Sequence, residues 1–290
     1  DWIPVLAGQA AYDQTGSWLP NDTLSAIETH KIAIKGPLAT PVGGGIRSLN
    51  VQLRKHFDLF ACIRPIRWFP GVPAPVLHPE QVDMVIFREN TEDTYCGIEW
   101  DYNDPKNTQL IQYLQTALGV QDIRFPDTSS IGLKPVSKEG TERLFDSVIQ
   151  YAKTHQRSPI TIIHKGNIMK FTEGRFRDWG TEYLMRQYRE WVFTWRDYQD
   201  ILMTDGQEAA EKAQTGALDS GKIVVNDCIA DAFFQNALLY PSQYNIVVAT
   251  NLNGDYVSDA LAAQVGGIGI SPGANINDQT GVAIFEATHG

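Results

Sequence analysis

Apolar positions along the 290-residue chain switch repeatedly between two periods. Short β-rich apolar runs occur at residues 60–63, 84–87, 160–163, 223–225 and 246–250, and each predicts a buried strand. Helical periodicity separates them. Residues 20–23 have the polar chemistry of a helix start, and a helix is expected over 24–30. Residues 31–35 alternate as a short strand that stops at Gly36-Pro37. After the flexible turn Gly43 to Gly45, residues 48–57 read as a helix with Leu49, Leu53 and Phe57 on one side. Further helices are expected over 137–155, 172–191 and 227–239, and residues 198–220 read as a polar, helix-prone insertion. Between 90 and 135 the pattern weakens, as in a small excursion or an oligomerisation element. Helices alternating with short strands predict an α/β protein, without internal repeats.

Composition narrows the class. The net charge of -10 argues against a nucleic-acid partner, which would be met by a basic face. Cys62, Cys96 and Cys228 are widely spaced with no CxxC, as in a cytoplasmic protein with reduced thiols. No apolar run approaches the roughly 18 residues needed to cross a bilayer, and no signal peptide is visible, so no membrane is expected. The chain opens on Asp1, and residues 286–290 read like the middle of a loop, so both ends are expected to be cut from a longer protein.

Against that acidic balance, Arg47, Arg54, Arg64, Arg67 and Arg88 fall close together. Surface ion pairing accounts for most arginines, yet Arg64 and Arg88 each follow an apolar run. Three guanidiniums converging on one pocket would specify a di- or tricarboxylate, because arginine forks carboxylates and keeps its charge. Ser48 stands where a helix begins. It is either an ordinary N-cap or a donor beside free N–H groups that welcome a substrate carboxylate, with which a phosphoryl group on Ser48 would compete. Asp227 and Asp231 are four apart, as are Asp255 and Asp259. Like charges at that spacing destabilise a helix and call for an explanation, such as a Mg²⁺ or Mn²⁺ ion. Lys165, just past a strand, and Tyr95 are the acid/base candidates.

Taken together, these segments resemble the isocitrate/isopropylmalate dehydrogenase family of metal-dependent β-decarboxylating dehydrogenases, and within it the NADP-dependent isocitrate dehydrogenases of bacterial type. The resemblance runs from about Trp18 to Gly290. It is dense at residues 33–38, 41–50, 85–100, 164–173, 229–233 and 251–274. It implies that Ser48, Asn50, Arg54, Arg64 and Arg88 hold isocitrate. Tyr95 would protonate the enolate carbon, and Lys165 with Asp231 would manage the hydroxyl proton. Asp231, Asp255 and Asp259 would bind the metal, while Ala39, Thr40, Asn167, Glu286, His289 and Gly290 would meet NADP. Lys165 and Asp231 would serve the partner's active site, which implies a homodimer. The implied reaction is oxidation of isocitrate, loss of CO₂ from a metal-chelated oxalosuccinate intermediate, and protonation to 2-oxoglutarate.

The implied fold is not a Rossmann fold, and the chain carries no GxGxxG. A large α/β domain would comprise 1–59 and 266–290, incomplete at both ends. A small α/β domain would comprise 60–92 and 138–265, and a clasp 93–137 would join two subunits. The departures concern mainly the cofactor. The family's glycine-rich opening is absent, and the chain stops where the adenosine-binding loop begins. Ala39 replaces a frequent threonine, Tyr240 stands where some relatives carry an arginine, and 198–220 matches poorly. A complete cofactor site is therefore not expected in this segment. Two other readings compete: a dehydrogenase for homoisocitrate or isopropylmalate, opposed by Ser48 and Asn50, and a non-catalytic tricarboxylate sensor, opposed by Tyr95 and Lys165.

Overall fold

The computed structural model describes residues 1–38 and 48–288. In chain order the elements are α1 (Gln9–Thr15), α2 (Asn21–His30), β1 (Ile32–Ile34), α3 (Leu49–His56), β2 (Ala61–Arg67) and β3 (Asp83–Glu89). A small excursion follows, with β4 (Glu99–Trp100), α4 (Pro105–Thr116) and β5 (Ile131–Gly132). The chain then alternates through α5 (Lys138–His155), β6 (Ile160–His164), α6 (Glu173–Gln187), β7 (Val192–Thr194), α7 (Trp195–Asp205), α8 (Gln207–Asp219), β8 (Ile223–Ile229) and α9 (Ala230–Leu239). It closes with β9 (Ile246–Ala249), α10 (Asn251–Gln264), β10 (Pro272–Asn277) and β11 (Val282–Ala287).

Nine strands form one mixed sheet in the order β1-β11-β10-β2-β3-β9-β6-β8-β7, and β4 pairs with β5 apart from it. From β3 to β7 every neighbour is parallel, whereas β2 and β10 run antiparallel to the strands beside them. Alternation along each strand feeds two cores. Val85, Phe87, Ile160, Ile162 and Val248 pack under α5 and α6, through Leu144, Phe145, Phe176 and Leu184. Met84, Ile86, Ile163, Val247 and Ala249 pack under α9 and α10, through Phe233, Val257 and Leu261. Strands covered on both faces need apolar residues at successive positions, which is why these runs read as unbroken.

Several expectations change. Strand β2 runs on past Arg64 to Arg67, and β3 past Arg88 to Glu89. The helix expected over 172–191 ends at Gln187, and Val192–Thr194 forms an edge strand. Asp227 lies in β8, not on a helix with Asp231. Its carboxylate accepts from His164 Nε2 at 3.0 Å and pairs with Arg177 at 3.5 Å, so tertiary partners extend a strand through polar positions. The weakly patterned stretch contains α4, opened by Asp104, whose side chain accepts from Lys106 N–H at 2.8 Å. Residues 198–220 fall in the packed pair α7 and α8.

Candidate active site

The C-terminal ends of the parallel strands β3, β9, β6 and β8 share one edge of the sheet, where α/β proteins build their clefts. Arg88 sits near the end of β3. In the antiparallel register with β2, Cys62 faces Arg88 and Arg64 faces Ile86. Directly paired residues share a face, so both arginines lie on the side covered by α10. This helix starts immediately after β9, whose Ala249 pairs with Arg88. Its close approach depends on Gly254: a Cβ there would lie 2.6 Å from Arg88 Cγ.

Residues 251, 255, 258 and 259 fall on one face of α10, at spacings of four, seven and eight. Arg64 Nη1 donates to Ser258 Oγ at 2.5 Å, to Asp259 Oδ1 at 3.2 Å and to Asp255 Oδ1 at 3.4 Å. Arg88 donates from Nε to Asn251 Oδ1 at 2.9 Å and from Nη1 to Asp255, and its guanidinium lies 4.8 Å from the Tyr95 ring centre. The Tyr95 hydroxyl donates to the other oxygen of Asp255. Asn251 and Ser258 were not among the expected site residues. Their only sequence signal is the helical spacing they share with the two aspartates.

Charge explains the protonation states. Burial alone would raise the Asp255 pKa, but Arg88, the Tyr95 hydroxyl, Arg64 and Arg54 outweigh it and hold the carboxyl below its usual range. Asp259 is pushed up, by burial first and by repulsion from Asp255, against the pull of Arg64. Burial and the bond to Asp255 raise the Tyr95 phenol, which therefore stays protonated at neutral pH. Arg54 reaches this cluster only through its field. It pairs with Glu286 at 3.5 Å, which also accepts from Lys35 at 2.5 Å and Asn275 at 2.7 Å. Arg67 is elsewhere, stacked over Phe69 at 5.0 Å.

Helix α3 presents Ser48, Asn50 and Arg54. Ser48 occupies the N-cap position, but its hydroxyl makes no cap bond. Asn50 Oδ1 and Arg54 Nε are buried without partners. Polar atoms left open in a buried place are unusual and suit a ligand. On the far side of the edge, Lys165 Nζ donates to Asp231, whose pKa it lowers. Among the described residues no hydrogen bond or ion pair joins Lys165 or Asp231 to Asp255 or Asp259, and no three acidic, imidazole or thiol side chains are grouped so as to hold a metal. Of the expected cofactor residues, Ala39, Thr40, His289 and Gly290 lie outside the described residues, as does Arg47. Asn167 is exposed, and Glu286 is taken up by Lys35, Arg54 and Asn275.

The family model described as isocitrate/isopropylmalate dehydrogenase matches residues 1–290, further toward the first residue than the resemblance from Trp18. The chain belongs to this family. A Staphylococcus epidermidis protein named Isocitrate dehydrogenase [NADP] is 59% identical over 290 residues, covering 100% of this chain and 69% of the relative. A Streptococcus mutans protein of the same name is 56% identical over 289 residues, covering 100% of this chain and 67% of the relative. Among solved structures, an isocitrate dehydrogenase from Methylococcus capsulatus superposes with a TM-score of 0.73 at 32% identity, covering 98% of this chain and 67% of the other. The mixed sheet with helices on both faces is accordingly this family's fold, as the resemblance implies.

Proposed function

We propose that this chain catalyses the oxidative decarboxylation of isocitrate to 2-oxoglutarate and CO₂ with reduction of NADP⁺. The observation that carries the reading is the meeting of Arg64, Arg88 and Tyr95 on Asp255 beneath α10, in a chain whose relatives bear the name Isocitrate dehydrogenase [NADP]. In the free chain Asp255 and Asp259 occupy the guanidiniums much as a bound acid would. A tricarboxylate takes over those donors, and Ser48, Asn50 and Arg54 supply the remaining polar contacts. This frees the two carboxylates of α10, which with Asp231 of the partner subunit form an all-oxygen donor set suited to Mg²⁺ or Mn²⁺. Such an ion, when bound, polarises the substrate hydroxyl and stabilises negative charge on oxygen. NADP⁺ supplies the hydride acceptor.

The chain's own groups handle the protons. The Lys165–Asp231 pair takes the hydroxyl proton, and Tyr95, kept protonated by its surroundings, delivers one to carbon after CO₂ leaves. Lys165 and Asp231 pair with each other at a partly open place, and in the proposed homodimer this pair completes the partner's site. The exposed Phe234, Leu238, Leu239 and Tyr240 along and just past α9 offer an apolar surface for that second copy. We assign 1–59 and 266–290 to a large domain, 60–92 and 138–265 to a small one, and 93–137 to a clasp. No described helix is long and apolar enough to cross a membrane. Free Cys62, Cys96 and Cys228 support a cytoplasmic location.

The test is reduction of NADP⁺ and, separately, NAD⁺ by the full-length protein with isocitrate and Mg²⁺, with and without EDTA. NADPH formation that EDTA abolishes, with 2-oxoglutarate as product, is expected. Turnover with NAD⁺ alone would keep the chemistry and overturn the cofactor, and no turnover with either would sink the reading.

A further inference from the structure

Glu173, at the start of α6, is completely buried, and its contacts reach three separate segments. Its Oε2 accepts the backbone N–H of Lys165 and the Asn253 amide, the latter at 2.9 Å. Its Oε1 lies 3.1 Å from Lys134 Nζ, an ion pair without hydrogen-bond alignment. Lys134 in turn pairs with Asp93 Oδ1 at 2.5 Å. Asp93, held at a φ of +66°, accepts from Leu252 N–H at 2.9 Å in the first turn of α10 and from Thr94 N–H at 2.7 Å, one residue before Tyr95. Buried charges are costly unless paired, and well-packed apolar residues serve stability equally well. What the ionic set adds is fixed geometry among the turns that leave the ends of the neighbouring strands β3, β9 and β6, beyond the last ladder pairs.

We infer that Glu173, through Lys134 and Asp93, is a positioning residue that locks the Lys165 turn to the Tyr95 turn and to the helix carrying Asp255. The inference rests on the proposed function. Because Lys165 serves the partner's site and Tyr95 its own subunit's, one such lock touches both active sites of a dimer. Damage to it therefore spreads where damage to Lys165 does not.

Mixed dimers purified through two different tags test this. One Lys165→Met subunit leaves about half of wild-type turnover, since one site stays intact. One Glu173→Gln subunit is expected to leave about a tenth or less, with the KM for isocitrate changed by less than about threefold, because positioning acts on the chemical step. Retention of half or more overturns the inference. If the Glu173→Gln subunit does not assemble, Lys134→Met takes its place with the same two outcomes. Hydrogen exchange reads the lock without catalysis: the amides of Lys165 and Leu252 should both exchange about tenfold faster in the variant. Acceleration at only one of them overturns the lock. Wild-type protein that fails to turn over isocitrate would instead refute the proposed function, with the exchange result still deciding the lock.

Discussion

The two halves of the proposed catalytic set are built on opposite principles. Arg64 and Arg88 are 4% and 1% exposed and share Asp255, which also receives the Tyr95 hydroxyl. Lys165 and Asp231 are 28% and 70% exposed and have mainly each other. A guanidinium can be taken out of water only where carboxylates inside the same chain already answer it. A pair that keeps one side in water contributes little to folding and remains available to a second subunit. Burial thus separates the groups that hold the cleft together from the pair proposed to complete a partner's site.

Arg88→Met and Lys165→Met should break the comparison in different ways. Each is expected to lower turnover by about a thousandfold, through loss of charge stabilisation or of proton transfer. Only Arg88→Met should also destabilise the protein, by about 3 kcal/mol in denaturant titration, since it leaves Asp255 short of a counter-charge. Equal destabilisation by Lys165→Met would erase the distinction. A smaller effect is expected at Gly254→Ala, whose Cβ would press 2.6 Å from Arg88 Cγ. It should cost about 1–3 kcal/mol and weaken isocitrate binding. Gly216→Ala in α8, where a Cβ meets nothing within 4 Å, should be neutral or slightly stabilising.

A modest effect is expected far from the cleft. Burial would raise Asp197, but Arg189 and the capping bonds from Thr194 outweigh it and hold its pKa below the usual range. The resulting stabilisation is complete above the unfolded-state value of about 3.9 and disappears as pH falls through the lower folded one. Asp197→Asn should cost about 1 kcal/mol at neutral pH and flatten the acid limb of Tm against pH. An unchanged acid limb would show that this carboxylate does not contribute to it.

What the sequence made legible follows from locality. The strands leading to Arg64 and Arg88, the helix opened by Ser137 and the turn from β9 into α10 are written in adjacent residues, through apolar runs and cap chemistry. The paired aspartates of α10 were readable because four residues make about one helical turn. Asp227 was misplaced because its strand is extended by His164 and Arg177, which local propensity does not register. Strand β7 escaped because three residues at a sheet edge leave almost no periodic signal. Glu173, Lys134 and Asp93 were missed for a further reason. They stand far apart in the chain, and only the fold brings them together.

The pairing of β1 with β11 has a consequence for how the chain is made. Ile32 lies opposite Ala283, so the first strand of the sheet finds its neighbour only after about 250 further residues have been joined. At roughly 5–20 residues per second, this leaves the apolar edge of β1 waiting for about ten to fifty seconds of synthesis. Through that interval its unpaired backbone could be captured by any other extended strand. The β1 edge of the sheet is therefore a place where crowded ribosomes and scarce chaperones would be felt early.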